Sequence, residues 1–149
     1  MRKGAGDMLF KNISILNERF EVERNVNVGV EEREISYIGK EMPERDFGEI
    51  YDGSGKLLMP AFYNAHAHSP MGLMRGYGEN LSLQDWLNTR IFPFEDKLYD
   101  EAVYYATLLA MAESLQFGIV SSSDMYYFCD AMVRAVEESG AKANISRSI

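Results

Sequence analysis

The spacing of apolar and polar residues changes rhythm near residue 57. Before it, short β-rich runs cover Met8 to Leu16, Phe20 to Val30, Ile35 to Ile38 and Glu49 to Asp52. Phe20-Glu21-Val22-Glu23 and Asn25-Val26-Asn27-Val28-Gly29-Val30 alternate apolar with polar, the period of two that marks a strand with one wet face. Asn17-Glu18, Gly39 and Asp52-Gly53-Ser54-Gly55 punctuate these runs. Residues 1–56 therefore read as a small antiparallel, β-sandwich-like subdomain.

From residue 57 onward the pattern alternates strand with helix. Leu57-Leu58-Met59-Pro60-Ala61-Phe62 is continuously apolar, as expected of a strand buried on both faces. Ser82 followed by Asp85 reads as a capping box opening a short helix that closes before Pro93. A longer helix is expected after Asp100 as N-cap, with Val103, Ala106, Thr107, Ala110 and Met111 at helical spacing and Gly118 at its C′ position. Gly118-Ile119-Val120 begins a second strand that ends near Asp124. A further helix carries Phe128, Met132, Val133 and Val136 and stops at Gly140, and Lys142 to Arg147 begins a third strand. Such alternation predicts βαβ units on a parallel sheet over residues 57–149.

Composition narrows the partners. The 149 residues carry a net charge of −8, with 15 Lys and Arg against 23 Asp and Glu. An acidic chain lacks the clustered cations that phosphate backbones and anionic membrane surfaces require, so neither nucleic acid nor membrane is an expected partner. A single cysteine excludes an internal disulfide framework and a Cys-rich zinc module. The first ten residues contain no long apolar core, and no run approaches the roughly 18 apolar residues of a membrane span. The cytoplasm is the expected compartment.

Both histidines of the chain fall together, as His66-Ala67-His68, directly after the apolar run. Residues i and i+2 of a strand point to one face, and ligand sites of α/β folds lie at the C-terminal ends of parallel strands. Two imidazoles so placed suit one Zn²⁺ or Fe²⁺. The plainer alternative is a pair of solvated loop histidines.

The wider stretch Leu58-Met59-Pro60-Ala61-Phe62-Tyr63-Asn64-Ala65-His66-Ala67-His68-Ser69-Pro70-Met71, with Leu73-Met74-Arg75-Gly76, resembles the amidohydrolase superfamily. The resemblance is greatest to its S-adenosylhomocysteine/methylthioadenosine (adenosine-type) deaminases and triazine chlorohydrolases. It continues through Leu83-Gln84-Asp85-Trp86-Leu87, Ile91-Phe92-Pro93-Phe94-Glu95 and Gly118 to Tyr126. One departure is Ala61, where the family usually has glycine. The resemblance implies an α/β chain holding the first two to three βα units of a (β/α)₈ barrel. It makes His66 and His68 two metal ligands, and Trp86, Glu95 and Arg147 substrate contacts. Glu95 would accept hydrogen bonds from ribose hydroxyls. In the family a metal-activated water displaces an amine or chloride from an aromatic ring carbon.

Plainer readings stand beside these. Trp86 suits core packing, Glu95 an ordinary solvated carboxylate, and Cys129 a small buried hydrophobe. Asp124 suits a hydrogen-bonding role, and Tyr104-Tyr105 and Tyr126-Tyr127-Phe128 suit packing between strands and helices.

A complete barrel takes about 250 residues, so this chain holds about three of its eight units. The family's later ligands, a third histidine and an aspartate, and its proton-shuttling glutamate and histidine lie on later strands, and His66 and His68 are the only histidines here. Two expectations follow. One is the N-terminal portion of a metal-dependent hydrolase that deaminates a purine nucleoside or related heteroaromatic amine, with an incomplete active site and a divalent metal, zinc before iron. A chlorohydrolase shares the same early motifs. The other is a non-catalytic, self-associating chain. Unpaired strand edges would favour a homo-oligomer, or pairing with a complementary barrel portion.

Overall fold

The computed structural model describes residues 7–147, and these form two compact units divided between Pro60 and Ala61. The first unit is one five-stranded sheet of β1 (Met8–Leu16), β2 (Val22–Glu31), β3 (Glu34–Gly39), β4 (Glu49–Asp52) and β5 (Leu57–Leu58). Strands β1, β2 and β3 form the antiparallel meander that their alternation predicts. The expectation of a wholly antiparallel, sandwich-like subdomain needs correction, because β4 and β5 both pair with β1 in parallel. They share one edge of β1, β4 opposite Met8 to Lys11 and β5 opposite Ser14 and Ile15. The Asp52-Gly53-Ser54-Gly55 turn joins them, with the Ser54 amide and hydroxyl both donating to Asp52 Oδ1.

Ile13, Ile15, Val26 and Val28 make the core of this unit, with Phe10 and Leu58 against it. The one-wet-face reading of this run fails in the middle of β2 and at its N-terminal approach. Asn27 is buried, its amide donating to the Lys40 and Glu41 carbonyls and its Oδ1 accepting from the Asn12 amide. Phe20 and Val22 are exposed instead. Gly29 is dictated by a close approach, since a Cβ there would lie 2.3 Å from the buried ring of Phe47.

The apolar run Leu57 to Phe62 serves two sheets rather than one strand. Leu57 and Leu58 stay with β1, and β6 (Phe62–Ala67) opens the second unit. Pro60 lies in the break, where its missing N–H interrupts no ladder. β6 is not buried on both faces as the run predicts: Phe62 is 55% and Tyr63 73% exposed.

The second unit is a parallel sheet in the order β6-β7-β8, with β7 at Ile119–Tyr126 and β8 at Lys142–Arg147. A 3₁₀ helix (Ser69–Met74) follows β6. Next comes a helical run of α1 (Leu83–Trp86), a π turn (Leu87–Ile91) and α2 (Phe92–Glu95). Helix α3 (Asp100–Gln116) leads to β7, and α4 (Cys129–Ser139) to β8. Val103, Tyr126, Ala131 and Met132 form the core, with Ile145, Leu98, Met71 and Tyr104 packed against it. No described helix is long and apolar enough to cross a membrane.

Three helix readings change. Tyr99, not Asp100, is the N-cap of α3, and Asp100 pairs with Arg134 of α4 instead. Helix α4 begins after Phe128, which adopts a left-handed conformation, and Val133 is exposed; its buried stripe is Cys129, Ala131, Met132 and Ala135. The first helical run passes through Pro93 instead of stopping before it. Gly118, at φ +78°, takes the left-handed position after α3 as expected.

Candidate metal and substrate cleft

The site grows from the C-terminal ends of β6 and β7, where Ala67 is in register with Asp124. His66 Nε2 and His68 Nε2 are 3.2 Å apart. A metal about 2.0–2.1 Å from each nitrogen would subtend an angle of about 100°, close to tetrahedral. The pair therefore has the spacing of two ligands on one ion. His68 Nδ1 lies 2.7 Å from the Met125 carbonyl, to which its N–H donates. That bond places the proton on Nδ1 and leaves the Nε2 lone pair available to a cation. Among the described residues, no group of three or more His, Cys, Asp or Glu is placed to hold a metal, so the pair is the donor set found here.

Three consecutive residues of β7 fix this end of the unit. The Asp124 carboxylate, 2% exposed, accepts the Ser69 amide at 3.1 Å and so anchors the backbone immediately after His68. The Met125 carbonyl holds the His68 ring. The Tyr126 hydroxyl donates to Glu95 Oε1 at 2.7 Å. Burial and the Glu95 carboxylate push the Tyr126 phenol well above its ordinary value, so at neutral pH it is a fixed donor.

Trp86 and Glu95 reach the cleft from the helical run. Ser82 caps it as expected, its Oγ accepting the Asp85 amide at 3.2 Å. On a straight α-helix, residues nine apart point to opposite sides at about 100° per residue. The π turn removes that conflict. The Phe92 N–H donates to the Leu87 carbonyl, five residues back, so the turn absorbs one extra residue and the two side chains come to within about 80° of each other. Asn88 Nδ2 and Thr89 Oγ1 donate to the Gln84 and Asp85 carbonyls, at 2.8 and 2.6 Å. Pro93 follows directly; it cannot donate in an α ladder, and the wider turn leaves room for its ring.

A cleft of about 260 Å³ is lined by His68, Met71, Trp86, Leu87, Ile91, Phe92, Glu95, Met125, Tyr126 and Tyr127. Three of the five residues singled out from sequence, His68, Trp86 and Glu95, thus share one wall, and His66 touches His68. Trp86 is half-buried and its indole Nε1 donates to the Tyr77 carbonyl at 3.4 Å. Arg147 lies apart, exposed at the end of β8. It lines an adjoining hollow of about 710 Å³ that also holds Asp96, Asp100 and Asp130 and meets the first cleft at Phe92, Glu95 and Tyr127. Cys129 is buried, as expected of a small hydrophobe. Sequence reasoning assigned Tyr126 to packing; its ring does pack in the core, but the alternation of Ser122, Asp124 and Tyr126 along β7 was the available sign that Tyr126 shares a face with Asp124.

The amidohydrolase family model matches residues 57–148. The 5-methylthioadenosine/S-adenosylhomocysteine deaminase 1 of Archaeoglobus fulgidus is 42% identical over 139 residues, which is 93% of this chain and 32% of that protein. Among solved structures, a zinc-bound adenosine deaminase from Xanthomonas campestris superposes with a TM-score of 0.74 at 26% identity, covering 93% of this chain and 33% of that one. Atrazine chlorohydrolase from Arthrobacter aurescens, complexed with zinc, gives a TM-score of 0.83 at 19% identity over 94% of this chain and 35% of that one; this likeness speaks to fold alone. The chain spans about a third of the length of these relatives.

Proposed function

Because the chain belongs to the amidohydrolase family, we propose that it carries the opening βα units and two metal ligands of a (β/α)₈ hydrolase that deaminates a purine nucleoside or related heteroaromatic amine. The observation that carries the metal half of this reading is the 3.2 Å separation of His66 and His68 Nε2, with His68 Nδ1 turned to a carbonyl. The reaction half is supported by the deaminase relative at 42% identity. β6, β7 and β8 are then the first three barrel strands, and the sheet of β1 to β5 a separate β-rich subdomain that runs to Pro60 rather than stopping at residue 56.

In this reading His66 and His68 hold the ion through Nε2. A divalent metal, zinc first, supplies Lewis acidity towards a water molecule when bound. Trp86 offers an apolar, π-rich wall for a heteroaromatic ring. Glu95 accepts hydrogen bonds from sugar hydroxyls, and Arg147 is a further substrate contact from the adjoining hollow. The remaining ligands and the proton-transfer groups belong to chain beyond these units, so these residues bind and orient but do not complete catalysis.

Trp86 is the only tryptophan, which makes it a built-in reporter. Titration of the purified chain with Co²⁺ is expected to quench Trp86 emission saturably, and His66→Ala or His68→Ala to weaken that binding at least tenfold. Absence of saturable quenching overturns the metal reading. The reaction is tested by a chimera in which residues 1–149 replace the corresponding third of the Archaeoglobus fulgidus relative. Ammonia release from adenosine or 5-methylthioadenosine, abolished by His66→Ala, is the expected result; a folded, metal-loaded chimera that releases none overturns the deaminase reading.

A further inference from the structure

We propose that Tyr126 is a positioning residue for Glu95, and that through it the strand bearing the histidines' anchor also sets the orientation of the substrate-binding carboxylate; this rests on the reading above that Glu95 receives sugar hydroxyls. Tyr126 is 3% exposed, and its ring is clamped among Val103, Ala131 and Met132. Its hydroxyl alone reaches out of that core, meeting Glu95 Oε1 at 2.7 Å. Glu95 itself ends the short helix α2 (Phe92–Glu95), an element of a single turn that cannot hold a long side chain on its own.

The chemistry of the pair gives the contact a direction. A phenol whose ionisation is suppressed by burial and by the adjacent carboxylate always donates, and a carboxylate always accepts. Oε1 is therefore fixed to the core, and Oε2 has no protein hydrogen-bond partner among the described residues. Fixing one oxygen restricts rotation of the carboxyl group and presents the other at a constant place on the wall shared with His68 and Trp86. Preorganisation of this kind acts on ligands that use Glu95 and leaves others alone. The residue thus separates a riboside from its free base.

The test compares adenosine with adenine, which lacks the ribose, for binding to the purified chain by Trp86 fluorescence. In Tyr126→Phe, adenosine is expected to bind about tenfold more weakly while adenine binding changes less than twofold, a hydrogen bond to a charged group being the only loss. In a Glu95→Ala background, Tyr126→Phe is expected to cause no further loss. Equal weakening of both ligands, or of neither, overturns the proposal, because a merely structural role does not discriminate between them. A ligand-free measurement separates this inference from the functional reading. The side-chain carboxyl carbon resonance of Glu95 is expected to move in Tyr126→Phe, and an unmoved resonance overturns the proposal whatever the chain binds. If the unaltered chain binds neither adenosine nor adenine while that resonance does move, the nucleoside reading falls and the role in separating ribosides from bases falls with it, leaving Tyr126 as the anchor of Glu95.

Discussion

β6 and β7 are hydrogen-bonded neighbours in one parallel sheet, yet they live in different surroundings. β7 carries Asp124 and Tyr126 at 2% and 3% exposure, whereas β6 is exposed from Phe62 through His66. The strand that carries His66, a proposed metal ligand, is the wet one, and the strand whose groups hold the His68 segment in place is the buried one. Three polar groups of β7, the Asp124 carboxylate, the Met125 carbonyl and the Tyr126 hydroxyl, find partners in the site itself, through Ser69, His68 and Glu95. With His66 and His68 as the proposed metal ligands, stability and metal binding should divide between adjacent strands, and substitutions should separate along the same line.

The largest effect should come from the core beneath β7. Met132→Ala empties a fully buried position against Tyr126 and is expected to cost about 2–5 kcal/mol of unfolding free energy in a denaturant titration. Asp124→Asn keeps the shape but loses the charge that accepts the Ser69 amide, with an expected cost of about 1.5–3 kcal/mol. It should also weaken Co²⁺ binding by loosening the chain after His68; unchanged metal affinity would break the link between the two strands. His66→Ala should shift stability by less than about 0.5 kcal/mol, as surface changes do, and His68→Ala, which also loses the bond to the Met125 carbonyl, by about 1 kcal/mol, while each weakens metal binding. A stability loss as large as that of Asp124→Asn would erase the contrast.

The smallest effect concerns a surface pair elsewhere in the second unit. Arg75, just after the 3₁₀ helix, makes a bidentate contact with Glu113 of α3 at 3.1 and 2.7 Å and holds that carboxyl below its ordinary value. A depressed carboxyl contributes stability above its ordinary titration range and loses it as the pH falls through the lowered one. Wild type and Glu113→Gln should therefore differ slightly at neutral pH and converge in acid, and high salt should shrink the difference.

Much of this was legible from the residues. Alternation and punctuation located β1 to β4 and the start of β8, and the histidine spacing pointed to the end of β6, where the cleft lies. What escaped depended on contacts between distant residues. The parallel pairing of β4 and β5 with β1 is a choice of partner that periodicity does not encode. Asn27 looked wet because its burial depends on the Lys40 and Glu41 carbonyls, more than ten residues away. Pro93 looked like a stop because a widened turn that accommodates it has no signature in hydrophobic spacing.

That widened turn makes the cleft depend on counting. Between Trp86 and Glu95 the number of residues sets the geometry, since losing one would rotate Trp86 by about 100° relative to Glu95. Point substitutions at Leu87 to Ile91 leave the frame intact, whereas a single deleted codon resets it. Over this segment, variation in length is the more disruptive currency of change, and two chains with dissimilar residues but equal spacing would share a cleft that two near-identical chains, one codon apart, would not.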